Sequence, residues 1–187
     1  MSLSAPFAWP ADAATSTSLR RHRRRTDGSA IVSVTTAGGD HPAAEDCWGR
    51  ALRGLGTAAA RGATRGIREE SLSRFDRGAH VSSAWPHALA FAALGATEVL
   101  GRWPDHSGAL TLPEKASAII GQAPADPVWP WPARRLTYAN AAIAVAVIVA
   151  GWKLGRDRVL RDGMRMLEWL LTVETRDGHL SVVPAGG

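Results

Sequence analysis

The stretch that decides the fold runs from residue 41 to residue 61 and reads HPAAEDCWGRALRGLGTAAAR. Its apolar residues recur at intervals of three and four, which is the period of one face of an α-helix. The residues on that face are Trp48, Ala51, Leu52, Leu55, Ala58 and Ala59. Glycines at positions 49, 54 and 56 each lower helix propensity by about 1 kcal/mol relative to alanine. Because only packing can offset that loss, the stretch predicts a buried helix that approaches its neighbours closely.

The chain beyond residue 61 predicts five further helices. Their predicted ranges are 64–78, from 83 onward, 112–121 with Pro113 in the first turn, 138–154 and 156–174. The helices that start near residues 43, 84 and 137 are rich in small apolar residues and are predicted to be buried, and each is followed by a more polar helix. Their spacing of about 40 to 50 residues is typical of helical-pair repeats. The sequence therefore predicts an all-α fold of repeated αα hairpins.

The first 40 residues differ in character from the rest of the chain. They are rich in Ser, Thr, Ala and Gly, and they contain the run RRHRRR at positions 20–25. We therefore expect a poorly ordered basic arm over residues 1–40, followed by a helical domain over residues 41–187. The formal net charge is +5, and the five arginines of that run account for all of it. Nucleic-acid binding is consequently not expected of the helical domain, because it would depend on the arm alone.

The cysteine content and the hydropathy pattern indicate a cytoplasmic protein. A single cysteine, Cys47, excludes an internal disulfide framework and fits a reducing compartment. The N-terminus lacks the basic and apolar regions of a secretory signal, and the most apolar run, 141–152, is shorter than the roughly 20 residues that a membrane span needs. No nucleotide-binding loop or metal-ligand cluster stands out, so neither a cofactor nor a metal is predicted.

Polar and aromatic residues cluster where the three predicted inner helices begin. In a ring of αα hairpins these helix ends meet at one mouth, so we expect the side chains to lie near one another. The candidate binding residues are Glu45, Asp46, Trp48, Arg50, Trp85, His87, Trp129, Trp131, Tyr138 and Asn140. Structural interpretations stay open for several of them. Acids stabilise the first turn of a helix, Trp48 continues an apolar face, and a lone histidine is often without a catalytic role.

The segment 129–132, WPWP, favours sugar recognition more strongly. Its prolines hold the backbone extended, so both indoles are presented with little freedom to lose. Aromatic faces beside carboxylates suit a sugar, whose C–H faces stack on rings while its hydroxyls donate to acids. Indoles can also close the end of a helical domain. A glycosidase needs two carboxyl groups on either side of a bond, and the adjacent Glu45 and Asp46 diverge around the helix axis, so no catalytic residue is assigned.

Four segments in order carry a resemblance to a known family: 44–57, 85–95, 129–140 and 174–181. They resemble the helical domain of bacterial proteins classed as glycosyltransferases, which is itself similar to the six-hairpin (α/α)6 toroid of glycosidases and sugar epimerases. The resemblance covers residues 43–183 and implies about the N-terminal half of such a toroid. The acidic pair of the family corresponds to Glu45 and Asp46, and its aromatic–polar segment to Tyr138 and Asn140. The sequence contains no βαβ units, so the transferase fold itself is not expected here.

The resemblance implies a carbohydrate-binding or carbohydrate-processing module associated with a bacterial glycosyltransferase system. Its expected partners are a saccharide or sugar nucleotide, together with a glycosyltransferase or a second copy of the chain. Glu45 and Asp46 would accept sugar hydroxyls while Trp129 or Trp131 stacks, and catalysis by this chain alone is not expected. The alternative is a non-catalytic structural or protein-interaction module of helical repeats. A sugar site requires these acids and indoles in one pocket, whereas a structural module predicts them scattered or packed.

Overall fold

The computed structural model describes residues 42–122, 124 and 126–181, and only the backbone of residues 42–45. Within these ranges the chain forms six helices and one small hairpin. They are α1 (Pro42–Arg61), α2 (Arg65–Ala79), α3 (Pro86–Arg102), α4 (Ser107–Ile119), α5 (Asn140–Lys153), α6 (Asp157–Glu174), β1 (Thr175–Arg176) and β2 (His179–Leu180). The predicted basic arm over residues 1–40 lies outside the described residues.

The helices pack as three hairpins arranged in two layers. Helices α1, α3 and α5 lie side by side, while α2 packs on α1, α4 on α3 and α6 on α5. Short connections join the two helices of each hairpin. The prediction of a mainly helical fold is therefore confirmed. The further expectation of a partial (α/α)6 toroid stays a prediction.

Helix α3 lies at the centre of the core and has a buried cluster on each side. One cluster includes Leu52 of α1, Phe75 of α2 and Leu112 of α4. The other includes Ile143 of α5 and Met166 of α6. Since α3 contributes alanines to both clusters, it is buried on nearly all sides. This confirms what its almost uninterrupted apolar sequence predicts.

Glycines let α1 and α3 cross with their backbones in contact. Gly49 lies against the carbonyl of Ala88, and Gly56 lies against the carbonyl of Gly95. Gly95 in turn lies against the carbonyl of Leu52. A Cβ atom added to any of these three glycines would overlap a backbone atom of the other helix. The close approach predicted from the glycines of the opening stretch is therefore present, and it explains why α1 keeps residues that weaken a helix.

The start of α4 is a correction to the sequence-based prediction. The helix begins at Ser107 rather than at residue 112, and Pro113 lies in its interior. His106 caps it, because its Nδ1 accepts a hydrogen bond from the N–H of Ala109 (3.2 Å) while its Nε2 lies 3.3 Å from Asp76 Oδ1. Histidine is not among the favoured N-cap residues, and a proline normally marks a helix start. Both features of the sequence therefore predict a start of α4 that lies after the observed one.

Helix α5 is also less buried than its sequence predicts. Its neighbours α3, α4 and α6 cover one side, where Ile143, Val147 and Ala150 are fully buried. On the other side Trp152 is 65% exposed. The prediction that this helix is buried therefore holds for the side that faces its neighbours, and the apolar sequence does not show that the opposite side lacks neighbours.

The last described element is a tight β-hairpin after α6. Thr175 pairs with Leu180 across the turn, and Asp177 and Gly178 both have positive φ values, of 50° and 75°. A two-residue turn of this kind favours Asp-Gly, which is the pair at these positions. No helix within the described ranges combines the length and the apolar character needed to span a bilayer.

Candidate functional site

Three hairpins meet at the N-terminal ends of the inner helices. Asp46 comes from α1, His87 from the first turn of α3, and Tyr138 from the residues just before α5. The Tyr138 hydroxyl donates to Asp46 Oδ1 over 2.6 Å, and the rings of His87 and Tyr138 stack with centroids 4.6 Å apart. The structure thus joins residues that are far apart in the sequence, as the arrangement of inner helix ends predicts.

A cavity of about 660 Å³ opens beside this cluster. That volume lies within the range of sites for small molecules. It is lined by Asp46, Trp85, Pro86, His87, Ala88, Ala133, Arg134, Arg135, Thr137 and Tyr138. The indole of Trp85 is 42% exposed, so an aromatic face is accessible at the cavity.

Two donors fix the carboxylate of Asp46. Tyr138 binds one oxygen, and Arg50 Nε donates to the other over 2.5 Å. The guanidinium carbon of Arg50 lies 4.6 Å from the ring centroid of Phe91, which holds the arginine beside the carboxylate. The hydrogen bond from Arg50 to Asp46 raises the pKa of the guanidinium above its usual value. Since each carboxylate oxygen can accept two hydrogen bonds, Asp46 is oriented and still able to accept a ligand hydroxyl.

Burial favours the neutral form of both rings of the stacked pair. Burial, together with the hydrogen bond to Asp46, raises the pKa of the Tyr138 phenol to about 12. For His87, burial lowers the pKa below its usual value, although the nearby Asp46 opposes this effect. His87 already has partners in the site, since its Nε2 lies 3.5 Å from the Thr137 hydroxyl and a hydrogen bond with the backbone of Tyr138 also acts on its pKa.

A buried amide positions the segment that carries Tyr138. Asn140 accepts a hydrogen bond from the N–H of Thr137 (3.0 Å) and donates to the carbonyl of the same residue (2.9 Å). Its amide nitrogen also lies 3.3 Å from Oε1 of Glu174, a buried carboxylate at the end of α6. Asn140 therefore supports the site from behind the cavity lining. Glu174, which sequence reasoning did not select, holds Asn140 in turn.

Two of the predicted tryptophans, Trp48 and Trp131, lie in the core, and Trp129 is partly buried against it, so none of the three is in the cavity lining. The indole N–H of Trp48 donates to the carbonyl of Gly78 over 3.0 Å. Trp131 is 1% exposed and stacks on Trp169, with ring centroids 5.8 Å apart. Trp129 also packs against Trp169 and donates its N–H to a backbone carbonyl. Of the tryptophans in the described residues, Trp85 supplies the indole of the cavity.

The side chain of Glu45 lies outside the described residues, although its backbone belongs to α1. A role for the acidic pair therefore stays a prediction for Glu45. Among the acidic side chains that the structure does describe, Asp46 is the one that lines the cavity. The described residues also contain no group of three His, Cys, Asp or Glu side chains placed to hold a metal ion.

Sequence reasoning missed two arginines of the site. Arg134 and Arg135 line the cavity and are exposed, and neither forms an ion pair with a carboxylate of the described residues. They follow the WPWP segment directly in the connection between α4 and α5. The sequence feature that could have identified them is a pair of basic residues close to the predicted sugar-binding tryptophans.

The comparisons with known proteins give no family assignment. No protein-family model matches the chain, and no match is found among curated proteins or among solved structures.

Proposed function

We propose that the cavity at the ends of α1, α3 and α5 binds a saccharide. The observation that carries this proposal is the meeting of an oriented carboxylate, Asp46, with the exposed indole of Trp85 in one cavity. Small-molecule sites combine apolar and aromatic lining with a few placed polar groups. A sugar offers a C–H face for the indole and hydroxyl groups for the carboxylate.

Each residue has a distinct part in the proposed site. Trp85 stacks on a sugar ring, and Asp46 accepts hydrogen bonds from hydroxyl groups. His87 and Thr137 lie at the cavity wall, where His87 Nε2 is 3.5 Å from the Thr137 hydroxyl, and the remaining hydrogen-bonding capacity of this pair serves other hydroxyls of the sugar. The sequence suggests Trp129 or Trp131 for stacking on the sugar. We assign this role to Trp85, because Trp131 is buried and neither Trp129 nor Trp131 lines the cavity.

Binding without turnover is the function that the described side chains support. Hydrolysis of a glycosidic bond needs two carboxyl groups flanking that bond. The described lining of the cavity supplies one, Asp46. An association with a glycosyltransferase system is part of the proposal and rests on the sequence resemblance alone.

The test is isothermal titration calorimetry with a panel of oligosaccharides and sugar nucleotides. We expect saturable binding by the wild-type chain, and at least about tenfold weaker binding by Asp46→Asn and by Trp85→Ala, because each removes one of the main contacts. Asp105→Asn and Trp152→Ala are matched controls, since both residues are exposed and lie outside the cavity lining. They should bind as the wild type does.

The proposal fails if the folded chain binds no member of the panel. It also fails if the control variants lose as much affinity as the cavity variants. Circular dichroism of every variant establishes that lost binding is not lost folding.

The second candidate is a protein-interaction module of helical repeats. Large apolar side chains on the surface of α5 and α6 favour it, among them Trp152, Met164 and Leu171. The positions of Trp48 and Trp131 in the core also favour this candidate, because packing alone explains why these two tryptophans are present. Sedimentation of the chain over a range of concentrations tests this surface, because its use for self-association predicts an oligomer that Leu171→Glu disrupts, while loss of saccharide binding is tested separately by calorimetry.

A further inference from the structure

We propose that the ligand of the cavity carries a negative charge, as a saccharide with a carboxylate, sulfate or phosphate group does, and that Arg134 and Arg135 bind that group. This inference rests on the proposed saccharide-binding function and deepens it. It concerns which members of the saccharide class are bound and not whether the cavity binds saccharides.

Position at the cavity, and not the lack of an ion pair alone, distinguishes Arg134 and Arg135 from the other exposed arginines of the described residues. Some described arginines contact carboxylates, as Arg61 does with Glu98 and Arg50 does with Asp46, while others, such as Arg77 and Arg161, have no ion pair within the described residues and lie outside the cavity lining. Arg134 and Arg135 line the cavity without a partner of this kind in the described part of the chain. Their guanidinium donors therefore remain available at the wall where a ligand would lie.

The charge balance of the cavity favours an anion. Asp46 is the acidic group of the described lining, and its charge is compensated by Arg50, which contacts it directly from outside that lining. His87 adds no positive charge near neutral pH because burial lowers its pKa. Two uncompensated positive charges are left at one cavity, and a neutral sugar would leave both without a counter-charge.

The chemistry of arginine fits the proposed group. The planar guanidinium donates two parallel hydrogen bonds to carboxylate, sulfate or phosphate oxygens, which gives both affinity and orientation. Trp85 and Asp46 would then contact the neutral part of the sugar while the arginines hold its anionic substituent. A charged sugar would thus contact the arginines as well as Trp85 and Asp46, whereas a neutral sugar would leave the arginines without an ionic contact.

The test compares ligands that differ only in charge. Trigalacturonic acid is paired with its methyl ester, and glucose 6-phosphate and glucose 6-sulfate are each paired with glucose. Calorimetry is run for the wild type and for Arg134→Gln/Arg135→Gln, at low and at high salt. We expect the charged member of at least one pair to bind about tenfold more tightly than its neutral counterpart at low salt, and high salt to reduce this preference. Which pair shows the preference identifies the anionic group.

The double variant should lose the preference while it keeps its binding of the neutral ligand. Arg77→Gln/Arg161→Gln is the matched control, because it removes the same charge at exposed positions outside the cavity and should retain the preference. A loss in this control would overturn the inference, since the preference would then reflect the net charge of the chain. Inorganic phosphate binding as tightly as glucose 6-phosphate would overturn it too, because the sugar would contribute nothing.

The outcomes separate the two proposals. Equal binding of charged and neutral ligands, unchanged in the arginine double variant, would refute the anionic ligand and leave saccharide binding intact. Absence of binding to every ligand in a folded wild-type chain would refute saccharide binding itself.

Discussion

Asp46 shows how one acidic residue can serve both the helix and the site. The helix dipole is enough to explain an acid near a helix N-terminus, and the sequence also makes Asp46 a candidate binding residue because of its place at an inner helix end. In the structure the same carboxylate joins α1 to the segment before α5 through Tyr138. The pairing with Arg50 one turn later can be predicted from the spacing of four residues. The pairing with Tyr138 cannot, because it depends on how three hairpins pack.

The titration of Tyr138 tests this contact directly. Burial and the hydrogen bond to Asp46 raise the pKa of the phenol to about 12. Because this pKa is higher in the folded than in the unfolded chain, the contact stabilises the fold fully below about pH 10. Its contribution is lost as the pH rises toward 12. The chain contains one tyrosine, so the tyrosinate absorbance near 295 nm reports on this residue alone.

We expect Asp46→Asn to lower the midpoint of that titration relative to the wild type, since it removes the negative charge that opposes ionisation. The matched variant Asp105→Asn changes an exposed acid far from the phenol in the sequence and should leave the midpoint unchanged. A wild-type midpoint near pH 10 in a chain that is still folded by circular dichroism would show that the contact is absent in solution.

At the scale of the elements, two glycines of α1 should respond oppositely to the same substitution. A Cβ at Gly56 would overlap the backbone of Gly95, so Gly56→Ala should destabilise the fold by about 1–3 kcal/mol. Gly54 is exposed on the same helix, and nothing lies within 4 Å of the Cβ position. Gly54→Ala should therefore stabilise the fold by about 0.5–1 kcal/mol through helix propensity. Urea unfolding of the two variants measures both changes. Equal effects of the same sign would contradict the close contact between α1 and α3.

The sequence predicts which segments form helices better than it predicts where a helix begins or which of its sides are covered by neighbours. The apolar period and the glycines of residues 41–61 predict α1 and its close packing, and both are present. The start of α4 was missed because His106 caps it and Pro113 lies in its interior. The exposed side of α5 was missed because burial depends on neighbours that a single helix sequence does not record.

At the scale of the whole molecule, the order of elements predicted part of the site. The alternation of buried and polar helices implies that α1, α3 and α5 begin at one end, which brought Asp46, His87, Trp85 and Tyr138 into the prediction. The connection between α4 and α5 has no periodic pattern from which its path could be derived. Its indoles were therefore expected in the cavity, yet Trp131 is in the core, while its arginines line the cavity and were not foreseen.

Because the cavity is built from three hairpins, a ligand bound there should stabilise the domain as a unit. Binding to the folded state alone adds about 2.7 kcal/mol at a ligand concentration of 100 times the Kd. For a chain of this length that corresponds to a rise in melting temperature of roughly 5–10 °C. We expect this rise in differential scanning calorimetry with the tightest-binding saccharide of the panel.

The variant Asp46→Asn separates stabilisation through the cavity from unspecific effects of the sugar. At the same saccharide concentration it should show a smaller rise, because its weaker binding leaves less of the folded chain occupied. Amide hydrogen exchange locates the bound saccharide, since protection from exchange should increase at the N-terminal ends of α1, α3 and α5 together. A saccharide that binds by calorimetry but protects one hairpin only would contradict a site shared by three, and would place binding on the surface of that hairpin.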